Sequence, residues 1–328
     1  MTKLSILIVN YKGWSALEEC LNSLERFNSQ KFLLEIIVVD NCSNDGMLET
    51  FITKYSTFTF ILNSGNNGFA NGCNLASLHA TADYFLFLNP DTRVDTKDLE
   101  VYFQSQLDYP EIALMSCLQI DEKSKYYNQN NLLPTVITFF GLPRAFYKKI
   151  FKNKIQKKFN NNDIDAFFYP EWVTGAVIMV SRRWFVEIGG WNEDYWMYME
   201  DVDFCKKIND ANGKIAVLKR ATIFHQHGGA SRINITTKAL TKTEVLISKH
   251  VYISNNFSKT TSFFLHLRLI LGIVLEKSVI AVLPSFFNKK LKVNRLILKN
   301  YINYLVGALK HSTFISPRSI NFIKAIKE

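Results

Sequence analysis

Tyr84-Phe85-Leu86-Phe87-Leu88-Asn89-Pro90-Asp91-Thr92 is the stretch on which the fold turns. Five apolar residues run without a polar break and then stop at Asn-Pro-Asp. A short unbroken apolar run bounded by turn residues is the pattern of a strand buried on both faces. Pro90 has no N–H and disfavours helix at Asn89, so the strand ends there. The chain leaves the core and at once presents a carboxylate, Asp91. Ligands of open α/β sheets gather outside the carboxyl ends of strands. A plain strand-ending Asx turn would use the same residues, so the neighbouring segments decide.

Upstream, Leu4 to Asn10 is a second buried run, and Trp14 to Phe27 sets Leu17, Leu21 and Leu24 at helical spacing. Phe32 to Val39 reads as a strand ending at Asp40. Met47 to Tyr55 reads as a helix capped by Asn44 or Asp45. Phe58 to Leu62 is a third strand, and an Asn- and Gly-rich stretch, 63–74, leads into a helix to about Ala82. Strands alternating with helices imply a Rossmann-like α/β layer with a mainly parallel sheet.

Downstream, 119–171 is polar and Asn-rich, with basic residues at Lys148, Lys149, Lys152, Lys154, Lys157 and Lys158. It reads as an insertion near the acceptor side of a site. Trp172 to Val180 reads as a strand, Arg182 to Ile188 as a helical turn, and Tyr198 to Asn209 as a helix burying Val202, Cys205 and Ile208. Lys214 to Leu218 and Ala221 to Phe224 read as two short strands. From Thr236 the periodicity is helical. The expected division is a catalytic α/β domain, 1–235, and a basic helical region, 236–328.

The net charge of +10 is unevenly placed: residues 231–328 carry 16 Lys and Arg against three acids, so the remainder is slightly acidic. A basic tail of this kind meets something anionic. No apolar stretch reaches the ~20 residues of a membrane span. Apolar helix faces flanked by Lys and Arg fit helices lying on an anionic membrane. The five cysteines are scattered without a Cys-x-x-Cys pair, which argues against a zinc ribbon or a disulfide framework and suits a reducing compartment. The sequence enters its first strand directly from Met1, without a signal-peptide pattern. Cytoplasmic localisation, peripheral at the inner face of the membrane, is expected.

Four segments carry candidate chemistry. Asp40-Asn41-Cys42-Ser43-Asn44-Asp45-Gly46 offers a strand-end carboxylate for the imide N–H of a pyrimidine and a turn of N–H groups for an anion; an ordinary strand-to-helix turn looks the same. Gly65 to Asn74 holds three glycines before a helix, a place where backbone can approach a phosphate. It is neither the dinucleotide fingerprint nor a P-loop. Glu200, Asp201 and Asp203 put three carboxylates within four positions beside aromatic residues. Acids at a helix start also complement its dipole, but a carboxylate beside apolar rings gains basicity. His225 and His227 alternate at a strand end, and one of them is a candidate metal ligand.

Together these stretches resemble an inverting glycosyltransferase of family 2 with the GT-A fold, nearest to its rhamnosyltransferase-like branch. The resemblance rests on Ser5 to Tyr11, Val38 to Gly46, Asn66 to Ala70, Leu88 to Thr92, Thr174 to Ala176, and Gly189-Gly190-Trp191 through Asp203. It implies a nucleotide-sugar donor, dTDP- or UDP-linked, contacted by Asn10, Tyr11, Asp40, Asn41, Asp45, Asn67, Gly68, Asn89 and Asp91. It implies Asp201 as catalytic base, with Gly175, Ala176, Trp191 and Glu200 on the sugar or acceptor side. Asp91, with His227 or His225, would hold Mg2+ or Mn2+. Asn89 departs from the family's Asp-x-Asp pattern and removes one carboxylate.

The expected function is transfer of a sugar such as rhamnose onto a hydroxyl of a lipid-linked or surface-glycan acceptor, with no nucleic-acid partner. Two alternatives remain at this point: a non-catalytic nucleotide- or polyanion-binding module, and a nucleotidyltransferase.

Overall fold

A computed structural model describes residues 2–129, 131–151, 166–226, 234–282 and 289–326. The apolar runs form β1 (Thr2–Asn10), β2 (Phe32–Asp40), β3 (Thr59–Leu62) and β4 (Tyr84–Leu88). Helices α1 (Trp14–Glu25), α2 (Met47–Lys54) and α3 (Phe69–His79) connect them. Next come β5 (Thr92–Arg93), α4 (Thr96–Asp108) and β6 (Ile112–Ile120), then α5 (Gly141–Ile150) and β7 (Phe167–Phe168). The series closes with β8 (Val177–Ser181), α6 (Arg182–Glu187), α7 (Glu200–Asp210) and β9 (Lys214–His225).

One mixed sheet has the order β3-β2-β1-β4-β8-β6-β9-β5, with β7 also on β9. The long ladders, β1 with β2 and β6 with β9, are parallel, as are β1–β4 and β2–β3; the short ladders of β5, β7 and β8 are antiparallel. The chain order reverses at β1, which lies between β2 and β4. Such a switch point opens a crevice at the strands' carboxyl ends. Val38, Leu86 and Met179 are fully enclosed in the core, as strands covered on both faces require.

Four local expectations are corrected. The strand expected from Trp172 begins at Val177, because residues 174–176 form a turn whose backbone groups serve other partners. The helix expected from Tyr198 begins at Glu200, because Tyr198 (φ 72°) and Met199 (φ 62°) are left-handed and cannot continue a right-handed helix. The two strands expected over 214–224 are one strand with a bulge, where the register steps from Cys117↔Leu218 to Leu118↔Thr222. The cap of α2 is Gly46 at φ 73°, not Asn44 or Asp45. Asp45, one residue earlier, still accepts the Met47 N–H at 3.3 Å through Oδ1, while its Oδ2 accepts the Trp14 indole N–H at 2.8 Å and ties α1 to the turn before α2.

The chain divides into two compact units. The first comprises 1–66, 72–191 and 201–227 and holds the sheet. The second comprises 67–71, 192–200 and 228–328. Its helices are α8 (Ile235–Asn256), α9 (Lys259–Val282), α10 (Lys289–Lys310) and α11 (Ile320–Ala325). The two short segments join it because their backbone is used there. The Phe69 N–H donates to the Trp196 carbonyl, Ser248 Oγ to that of Met197, and the Ser316 N–H to that of Asp194. In the second unit's interior, His250 stands between His266 and Tyr301, with ring-nitrogen distances of 2.7 and 2.6 Å to them. Among the described residues, no helix is long and apolar enough to cross a membrane.

Candidate active site

The first unit brings its candidate residues to one edge of the sheet. Asn10 and Asp40 are register partners at the ends of β1 and β2. The Asn41 N–H donates to the Asn10 carbonyl, and both side chains are buried. Asn10 Oδ1 accepts the Gly13 N–H, while its Nδ2 is buried without a hydrogen-bond partner. A buried donor left unmade costs ~1–3 kcal/mol, so this N–H is suited to an incoming acceptor. Asp40 accepts from Ser43 twice, from its N–H at 2.9 Å and from its hydroxyl at 2.5 Å. The Ser43 hydroxyl accepts in turn from the Lys12 N–H. Lys12, Cys42 and Asn44 all have positive φ, and each costs roughly 1 kcal/mol. Strain of this sort collects around ligand sites. Asn41 Oδ1 accepts from Asn63. Tyr11 is 44% exposed beside them.

Across the switch point the remaining groups close a ring. The Asn89 N–H donates to the Ala176 carbonyl at 2.9 Å, extending the Leu88↔Val177 pairing by one step. The Asn89 carbonyl accepts the Thr92 hydroxyl, closing the turn that presents Asp91. His225, at the end of β9 and 3% exposed, places Nε2 3.3 Å from Asp91 Oδ1. Its Nδ1 lies 3.0 Å from Gln119 Oε1, and Gln119 Nε2 donates to Thr174 Oγ1. Thr174 precedes Gly175, whose N–H donates to Asp201 Oδ2 at 3.1 Å. Asp201 Oδ1 accepts the Val202 N–H. Burial pushes the Asp201 carboxyl above the ordinary aspartate value, against the lowering effect of those N–H donors.

With its Nε2 donating to Thr174, Gln119 turns its amide oxygen to His225 Nδ1. A ring carrying its proton on Nδ1 would point the Nε2 lone pair at a carboxylate oxygen of Asp91. Two acceptors at that distance repel unless a proton or a cation lies between them. Neutral imidazole plus carboxylate, with a second partner orienting the imidazole, is a donor set that suits a divalent ion. Asp91 and His225 therefore fit the expected metal. Among the described residues no group of three His, Cys, Asp or Glu could hold one. His227, Gly228 and Gly229 lie outside the described residues, as do Lys152 to Lys158.

Trp191 is 2% exposed, stacked on Phe204 with centroids 4.3 Å apart and edge-on to Phe87. Its backbone N–H and carbonyl are both held by Asn74. The indole is part of the packed core. Gly175 and Ala176 act through their backbone groups. Asn67, Gly68 and Glu200 lie in the second unit. Gly68 has φ 97°, and a Cβ there would stand 2.4 Å from the Trp196 carbonyl oxygen, so only glycine fits. Gln119 was missed by sequence reasoning: a lone Gln in an apolar strand has no spacing signal.

A family model described as glycosyl transferase family 2 matches residues 5–174, and one described as the N-terminal domain of galactosyltransferase matches 157–227. The rhamnosyltransferase WbbL of Escherichia coli is 26% identical over 74% of this chain and 92% of its own length. The N-acetylglucosaminyl-diphospho-decaprenol L-rhamnosyltransferase of Mycobacterium tuberculosis is 22% identical over 68% of this chain and 75% of its own. In fold, the chain is similar to the mannosyltransferase PcManGT from Pyrobaculum calidifontis, solved with GDP-Man and Mn2+. The TM-score is 0.52 at 15% identity, over 94% of this chain and 75% of that one.

Proposed function

The chain belongs to glycosyl transferase family 2 and is a glycosyltransferase, and from that premise we propose that it inverts the donor sugar in one displacement with Asp201 as general base. The observation that carries this is the chain of contacts that runs from Asp201 through the Gly175 N–H, Thr174, Gln119 and His225, whose Nε2 lies 3.3 Å from Asp91. It ties a base of raised pKa and a cation-type donor pair to one rigid turn.

The donor is a dTDP- or UDP-sugar. Asn10 Nδ2 donates to a base carbonyl, and Asp40, already oriented by Ser43, accepts the imide N–H with a remaining lone pair. Asp91 and His225 hold a divalent ion, which when bound supplies neutralisation of diphosphate charge. Asp201 takes the proton of the acceptor hydroxyl while that oxygen attacks the anomeric carbon. The bond to the diphosphate breaks with its electron pair on the leaving oxygen, and a nucleoside diphosphate departs. A single base suffices, unlike the carboxylate pair of a glycosidase. The similarity to two rhamnosyltransferases supports rhamnose as the sugar and a lipid-linked glycan as acceptor.

The helical unit supports an anionic lipid surface as a further partner. On α9, Phe264, Leu267, Leu271, Leu275 and Val279 form an exposed apolar stripe, between 44% and 69% accessible. Residues 231–328 carry a surplus of 13 positive charges. An apolar stripe within a basic region suits a headgroup boundary.

Incubating the full chain with Mn2+, nucleotide-sugars and a glycan acceptor tests the central reading. The expected product is nucleoside diphosphate, with transfer abolished by Asp201→Asn. Pyrophosphate released from a nucleoside triphosphate would instead identify a nucleotidyltransferase, and undiminished transfer by Asp201→Asn would remove the base assignment.

A further inference from the structure

The second unit contains a cavity of about 280 Å3 that no step above uses. It lies among α8, α10 and the segment leading to α11, and its polar lining includes Glu244, Asn300, Asn303 and Arg318. Ile247, Tyr304 and Phe322 supply apolar surface. Its size is close to the lower bound of small-molecule pockets, about 300 Å3.

Three observations indicate what it accepts. The first is charge. Glu244 and Arg318 are the charged groups of the lining and are of opposite sign when both are ionised. In that state an anion would meet the carboxylate and a cation the guanidinium, which favours a neutral ligand. Burial pushes the Glu244 carboxyl up to about 7, partly offset by the Ser316 hydrogen bond and the Arg318 charge. The group can therefore donate as well as accept near neutrality.

The second is orientation. Glu244 is 2% exposed, and its Oε1 accepts the Ser316 hydroxyl at 2.5 Å. Tyr304 is fixed by donating its hydroxyl to the Phe314 carbonyl at 2.8 Å. Arg318 stacks over Trp196, 5.0 Å from the ring centroid. Glu244, Tyr304 and Arg318 are thus each held in place by a partner.

The third is Gly307. It lies inside α10 and lines the cavity, and a Cβ built on it would meet nothing within 4 Å. Glycine within a helix costs roughly 1 kcal/mol relative to alanine. No neighbour in the fold demands that cost, but any side chain there would narrow the cavity.

A carboxyl and two carboxamides present paired donors and acceptors, and aromatic and aliphatic walls face them. That suits a ring with hydroxyls on its edge and C–H groups on its face. We propose that this cavity binds one neutral pyranose residue, as a subsite separate from the residues that carry transfer. The proposal stands independently of the assignment of Asp201.

The test is saturation-transfer NMR on the full chain with methyl α-L-rhamnoside, methyl N-acetyl-β-D-glucosaminide and methyl β-D-galactoside as probes. At least one is expected to show transfer in the wild type and in Asp201→Asn. Gly307→Leu, which fills the cavity without a clash at Cβ, is expected to abolish it. Asn303→Ala, an exposed change at the cavity wall, is expected to reduce it several-fold at an unchanged melting temperature. Absence of transfer from all three glycosides would overturn the proposal. So would transfer that persists undiminished in both cavity variants. Loss of sugar transfer chemistry in Asp201→Asn with glycoside binding intact tests only the catalytic reading.

Discussion

His225 Nε2 stands 3.3 Å from Asp91 Oδ1, and the opposite ring nitrogen stands 3.0 Å from Gln119 Oε1. The histidine ring is therefore oriented by Gln119 on the side away from Asp91. Gln119→Leu removes the acceptor that selects the Nδ1–H tautomer. Partners that orient a metal-binding histidine are worth 10–100-fold in affinity. We expect Mn2+ binding, followed by electron paramagnetic resonance on the full chain with nucleoside diphosphate, to weaken by roughly that factor. His225→Ala should weaken it further. Identical titrations for wild type and both variants would show that His225 is not a ligand.

Asp201 gives a pH signature. Its carboxyl is raised by burial, and transfer requires the ionised form. The rate should therefore fall as pH drops through that raised value, higher than for an exposed aspartate, and be level above it. Asp201→Asn should lower kcat by about 10²–10⁴ and erase the acidic limb, while donor affinity changes little. Retention of the limb in the variant would assign it to another group.

Much of the first unit was legible because buried parallel strands write themselves as unbroken apolar runs. Leu4 to Asn10, Phe32 to Asp40 and Tyr84 to Leu88 all became strands, the first two ending at candidate residues Asn10 and Asp40 and the third just before Asn89. What escaped depends on contacts remote in sequence. Gln119 is 106 residues from His225. The left-handed pair Tyr198 and Met199 interrupts a pattern that reads as continuous helix. The family resemblance puts Trp191 on the sugar or acceptor side. Its burial against Phe87 and Phe204 follows from a packing that periodicity does not encode.

Trp191→Ala tests that packing. Removing a buried indole costs about 3–5 kcal/mol, and the loss should appear in urea unfolding of the full chain. Trp191→Phe should recover part of it. A sugar-contacting tryptophan would behave differently, raising KM for the acceptor with little change in unfolding midpoint.

Glu244 should make stability fall with rising pH. The folded carboxyl keeps its proton up to about 7, whereas the unfolded chain loses it near 4.5. Between those values the native state binds more protons, so stability declines as pH rises, by roughly 3 kcal/mol in total. Glu244→Gln retains an acceptor for Ser316 and removes the titration. Its melting temperature should match wild type at pH 4.5 and exceed it at pH 8. Parallel curves across that range would contradict the buried-carboxyl account.

The α9 stripe makes the last prediction. Leu265, Leu269 and Ile273 are buried, while Leu267, Leu271 and Leu275 on the same helix face outward. A helix apolar on both sides needs a second apolar environment. Leu271→Glu with Leu275→Glu alters exposed positions alone, so the fold should be affected by less than about 0.5 kcal/mol per site. Wild type should sediment with vesicles containing phosphatidylglycerol, less so with phosphatidylcholine alone, and less at high salt. The double variant should stay in the supernatant with an unchanged melting temperature. If it sediments like wild type, the stripe is not the membrane contact. If wild type binds no vesicle of either composition, the surface serves some other partner and the lipid reading fails.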